Sequence, residues 1–107
     1  MRARVRRPSK VKRDIAEVAA RIAEDSESAA WRFVEATERV FDFLSRNPDA
    51  GAPRPELSGG RLSDLRMWPV GGFEKYLVFY RHVGGEVQIL RVLHGARDLA
   101  ALLEDDG

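Results

Sequence analysis

Two short runs constrain this chain more than any other feature: Tyr76-Leu77-Val78-Phe79-Tyr80 and Val87-Gln88-Ile89-Leu90-Arg91-Val92-Leu93. Neither alternates apolar with polar as a half-wet strand does, so each needs cover on both faces and belongs inside a sheet. Gly84-Gly85 between them fits a tight hairpin, and Gly71-Gly72 marks a turn from an earlier strand, Asp64 to about Val70. Three antiparallel strands in a meander result. Something upstream must cover them.

The cover comes from two amphipathic segments. Val11, Ile15, Val18, Ala19, Ile22 and Ala23 recur at helical spacing, which predicts a helix over 10–24 with Ser9 as its N-cap. Asp25-Ser26-Glu27-Ser28 interrupts that pattern and can cap a second helix running to about Arg46. The second stripe is Ala30, Phe33, Val34, Thr37, Phe41 and Leu44, widened by Val40, and Asn47-Pro48 ends it. The short link makes an antiparallel hairpin, and neither stripe can be buried without the sheet. Phe33, Phe41, Ile15, Ile22, Val78 and Ile89 are the expected core joining the two layers.

Ahead of the helices, Ala3-Arg4-Val5-Arg6-Arg7 alternates with period two and reads as a short strand available to the sheet. Residues 48–63, rich in Pro, Gly and Ser, read as a non-helical connection, and Ala96 to Leu103 as a short final helix. The fold class is α+β: N-terminal strand, helical hairpin, three-stranded meander joined by the first strand, short C-terminal helix. One domain over 1–107 is expected, with 104–107 an acidic tail.

Composition removes several chemistries. The chain has no cysteine, which excludes disulfides, thiolate zinc sites, iron–sulfur clusters and thiol catalysis. Two histidines, His82 and His94, cannot close a tetrahedral metal site unaided, so no metal and no cofactor is expected. The Gly-rich turns lack the lysine and serine of a phosphate-binding loop. No apolar run follows the basic N-terminus and none is long enough to span a bilayer, so a cytoplasmic protein with no membrane partner is expected.

The formal net charge of +1 conceals segregation. Residues 1–13 hold seven bases and no acid, residues 14–50 nine acids against four bases, and 51–97 seven bases against four acids; the last ten residues contain four acids. A basic leading end fits acidic residues of a protein partner.

Taken together, these stretches resemble the RelE/ParE superfamily of bacterial type II toxins, most closely its ParE-like branch, over about residues 4–103. Asp14-Ile15 through Ile22-Ala23-Glu24-Asp25 is similar to the family's first helix. Ala29-Ala30, Arg32-Phe33, Phe41, Leu44, Pro48 and Gly51 are similar to its second helix and the following turn. Leu65-Arg66, Trp68-Pro69-Val70, Gly72-Phe73, Tyr76 through Arg81, and Arg91-Val92-Leu93-His94-Gly95-Ala96-Arg97-Asp98 follow in family order. The resemblance implies a toxin wrapped by a flexible segment of a cognate antitoxin, in a hetero-oligomer. ParE-type relatives poison DNA gyrase, a type II topoisomerase; RelE-type relatives cut messenger RNA on the ribosome. One fold serves both, so the choice rests on site chemistry.

Metal-free RNA cleavage needs a base, an acid and cations around the phosphorane. His94, Arg81 and Arg66 are the candidates for that alternative, with Arg91, Arg97 and the phenols of Tyr76 and Tyr80 in reserve. Strand parity separates them: Arg91 should share a face with Ile89 and Leu93, and His94 the other with Leu90 and Val92. Arg66 and Arg81 also have Asp64, Glu74 and Asp98 as available ion partners. Only one lysine, Lys75, falls in the sheet region, and the acidic tail opposes an RNA backbone. The favoured reading therefore has no catalytic residue. Arg66, Trp68, Arg81, His94 and Arg97 are the expected target contacts, and Arg4, Arg6, Lys12 and Arg13 the expected antitoxin contacts.

Overall fold

Pro8 separates the first strand from the first helix in the computed structural model, which describes residues 2–104. β1 is Arg4–Arg6, α1 is Ser9–Ala23 and α2 is Glu27–Arg46; β2, Ala52–Pro53, and a 3₁₀ turn, Pro55–Ser58, follow. Then come β3, Leu65–Val70, β4, Phe73–Val83, β5, Glu86–His94, and α3, Leu99–Glu104. The five strands make one sheet in the order β1-β5-β4-β3-β2, with β1 parallel to β5 and every other pair antiparallel. The α+β architecture read from the sequence holds, with one strand added. The meander and hairpin turns are as expected, while the 48–63 connection carries β2 and the 3₁₀ turn. Of the acidic tail, 105–107 lies outside the described residues.

The helix termini follow their local chemistry, with one correction. Ser9 is the first helical residue and not the cap; Pro8 stands at the cap position with φ −64° and ψ 161°. Its carbonyl accepts from the Val11 and Lys12 amides at 3.0 and 3.4 Å, and proline brings no N–H of its own to satisfy. At α2 the expectation holds: Ser26 Oγ accepts from Ala29 N at 3.1 Å. Asn47, pushed to φ −136° by Pro48, ends the helix.

Both faces of the two apolar strands are covered. On one, Phe33, Val40, Phe41 and Leu44 of α2 and Val11 of α1 pack on Val78, Tyr80, Val87, Ile89 and Val92, with Ile15, Val18 and Ile22 half-buried beside them. On the other, Leu65, Phe79 and Leu93 lie under Leu103 of α3, rimmed by Leu57, Leu62, Leu99 and Leu102. No helix among the described residues is long and apolar enough to cross a membrane.

A bulge corrects the strand parity. Phe79 pairs with Arg91 but Tyr80 with Ile89, leaving Leu90 as an extra residue on β5. Ile89 and Val92, three apart, therefore both join the helix-side core, while Leu90 packs with the second cluster. Beyond the bulge Arg91 still alternates with Val92, but it no longer shares a face with Ile89.

The turn after α2 is held by one buried phenol. Tyr80 Oη donates to the Pro48 carbonyl at 2.8 Å and accepts from Gly51 N at 2.8 Å. A Cβ on Gly51 would stand 2.5 Å from that oxygen, which is why the position is glycine. Gly51→Ala should cost about 1–3 kcal/mol by overpacking, and Phe41→Ala about 3–5 kcal/mol by leaving a cavity. Equilibrium denaturation of each variant checks both; an unmoved midpoint for Gly51→Ala would mean Tyr80 does not clamp this turn.

Candidate functional site

β1 accompanies β5 only from Glu86 to Gln88. Past that point the outer edge of β5 meets α1, where Asp14 takes the place of a neighbouring strand. Its carboxylate accepts from the Val92 amide at 3.0 Å and from Arg91 Nε and Nη2 at 2.7 and 2.9 Å. Arg91, opposite Phe79 on the second face, reaches round the strand edge to make this fork, and its Nη1 donates to the Leu102 carbonyl at 3.2 Å. Asp14 and Arg91 are 5% and 9% exposed, so each charge depends on the other to remain in the interior.

Beside this pair lies a small cleft of about 60 Å³, lined by Asp14, Glu17 and Arg21 of α1, Tyr76 of β4, Arg91 and His94 of β5, and Arg97. A β-turn aims the last of these: Arg97 N donates to the His94 carbonyl at 3.1 Å, and Gly95 N to the Lys75 carbonyl at 2.7 Å. His94 stands edge-on to the Tyr76 ring, 5.0 Å between centroids. Its Nδ1 accepts from the Ala96 amide at 3.0 Å, so that nitrogen's lone pair is occupied and the neutral ring carries its proton on Nε2. His94 thus offers a donor and no free base.

The family model for ParE toxin of type II toxin-antitoxin system, parDE, matches residues 5–99, from β1 to the first residue of α3, and takes in every residue of the cleft. The chain belongs to the ParE toxin family. It is accordingly the toxin of a type II toxin–antitoxin system, with a cognate antitoxin as partner. A search of curated protein sequences finds no match.

Of the expected target contacts in this ParE-family chain, His94 and Arg97 line the cleft and Arg66, Trp68 and Arg81 do not. Arg66 Nη1 donates to the Asp49 and Gly51 carbonyls at 2.9 and 2.7 Å, tying β3 to the turn after α2. Trp68 stacks on Phe43 of α2, 4.9 Å between centroids. Arg81 grips Asp64 through two bonds of 2.7 and 3.1 Å. Tyr76 is the partner of His94 in the ladder, and Arg81 lies five residues further along β4, about 17 Å at ~3.4 Å per residue. Arg81 also faces the second side of the sheet, opposite Leu65. Arg66, His94 and Arg81 therefore do not surround one phosphate.

The parity argument that separated Arg91 from His94 is corrected, because Arg91 turns round the edge into the cleft that His94 lines. Arg4, Arg6, Lys12 and Arg13 are all exposed, with Arg6 3.9 Å from Glu86. Tyr76, held in reserve by the sequence reading, lines the cleft, whereas Asp14, Glu17 and Arg21 escaped that reading. A signal for the first existed: Asp14 lies within the stripe of Val11, Ile15 and Val18, as Arg91 lies within an apolar strand. Two opposite charges stranded in apolar runs announce a buried pair.

Arg91→Met alone should cost about 3–5 kcal/mol by leaving Asp14 without its cation. Adding Asp14→Asn, which keeps an acceptor for Val92, should cost less than the sum of the singles; additive losses in denaturant titrations would refute the coupling. A second expectation concerns acid. The Arg81 guanidinium holds the Asp64 carboxyl below its ordinary 3.8, and the His82 hydrogen bond does the same for Asp49. Both depressed groups contribute stability above the ordinary value, lost as pH falls through the folded one. Asp64→Asn should therefore flatten the fall in stability below that value; an unchanged slope would remove Asp64 from the account.

Proposed function

We propose that this toxin inhibits a type II topoisomerase, DNA gyrase, by binding it as a protein, using the end of the sheet where His94 and Arg97 meet α1. The observation that carries the reading is the Ala96 N–H on His94 Nδ1. General-base catalysis at His94 would require breaking that bond or shifting the tautomer, and Arg81 and Arg66, the first candidates to brace a phosphorane, are committed to Asp64 and to the turn carbonyls. Surface recognition requires neither. The protein works as one domain in the cytoplasm, where its target and antitoxin are made, and Arg4, Arg6, Lys12 and Arg13 are the cations offered to the antitoxin.

Supercoiling by purified gyrase and integrity of a transcript on ribosomes should be followed side by side with wild type and His94→Gln. The toxin should block supercoiling, leave the transcript whole, and retain most of its effect in His94→Gln, since glutamine keeps a donor. Transcript cleavage by wild type that drops about 10²–10⁴-fold in His94→Gln, with supercoiling untouched, would overturn the proposal in favour of an RNA-cleaving toxin.

A further inference from the structure

We infer that the cleft between α1 and the end of β5 is a subsite for one carboxylate, an Asp or Glu side chain of the target protein. This rests on the protein-binding reading above and specifies what that surface recognises. Charge decides it. Arg91 is committed to Asp14, so that pair contributes nothing net. Arg21 and Arg97 line the same cleft, are exposed, and make no ion pair among the described residues. Against them stands Glu17, one helical turn before Arg21 and likewise lining the cleft. Two cations and one acid leave a single positive charge, which suits one monoanion.

The donors agree with that count. Arg21 and Arg97 each present a planar fork that matches a carboxylate bidentately. His94, with Nδ1 occupied by Ala96, has Nε2–H left to give. The volume of about 60 Å³ is far below the roughly 300–1,000 Å³ of small-molecule pockets and suits the tip of a side chain. A nucleic-acid backbone fits less well, because its run of phosphates would meet Glu17 along with the arginines and would carry more charge than the single positive charge left over.

The test uses the whole isotope-labelled chain and two probes, a capped hexaglutamate peptide and a hexauridylate. Hexaglutamate should shift the Arg21 and Arg97 Nε–H and His94 ring resonances saturably, and hexauridylate should leave them in place. The exposed pair Arg21→Gln and Arg97→Gln together should weaken both peptide binding and gyrase inhibition by about tenfold or more, with an unchanged melting temperature. Cleft resonances that respond to hexauridylate and not to hexaglutamate would overturn the inference. A doubly substituted chain that binds hexaglutamate and inhibits gyrase as wild type does would also overturn it, while leaving the topoisomerase reading intact. A wild-type chain that never inhibits gyrase would instead remove that reading, whatever the peptide does.

Discussion

A helix carboxylate standing in for a missing strand organises this molecule. β1 stops at Arg6, so β5 would run on with bare amides had Asp14 not met Val92 at 3.0 Å. The same carboxylate takes the Arg91 fork, and Arg91 then reaches the Leu102 carbonyl, joining α1, β5 and α3 at one point. A charge removed from water is tolerated only where its partners are all in place, so these three elements must assemble together. The cleft exists because α1 is pinned there and not further along the edge. Structure and candidate site therefore share one support.

Most of the architecture was legible because it follows from periodicity. Runs such as Tyr76–Tyr80 can only be central, and stripes such as Phe33, Phe41 and Leu44 can only be the apolar side of a covering layer, turned inward. What escaped were matters of one residue. Ser9 looks like a cap, yet Pro8 supplies the carbonyl and the extended backbone without any side chain. β2 is two residues long and paired to Met67 and Arg66, too brief for any periodic signal. The Leu90 bulge cannot be seen in β5 alone, since it is a mismatch between two strands.

The site was legible in fragments for a related reason. His94 and Arg97 stood out by type and by neighbourhood, whereas Arg66 and Arg81 stood out by type alone and prove to be braces. Pro48 and Gly51 carry the same lesson in reverse. One lends a carbonyl to Tyr80 and the other makes room for its hydroxyl, so their part is geometric. Residue type suggests chemistry; the partner a side chain has already taken decides it.

The borders of the sheet have a consequence for the chain made without its partner. β2 is short and ends in Pro53, and β1 is three residues long with an arginine at each end. Leu65 turns its carbonyl outward to the Arg54 amide, so Pro69, four residues on, turns outward a nitrogen that carries no hydrogen. The bare part of β5 is closed by Asp14. Among the described residues, every rim of the sheet is short, charged, capped or deprived of a donor. The borders of this sheet thus work against edge-to-edge pairing between copies of the chain, which favours a toxin that stays dispersed until its partner takes it up.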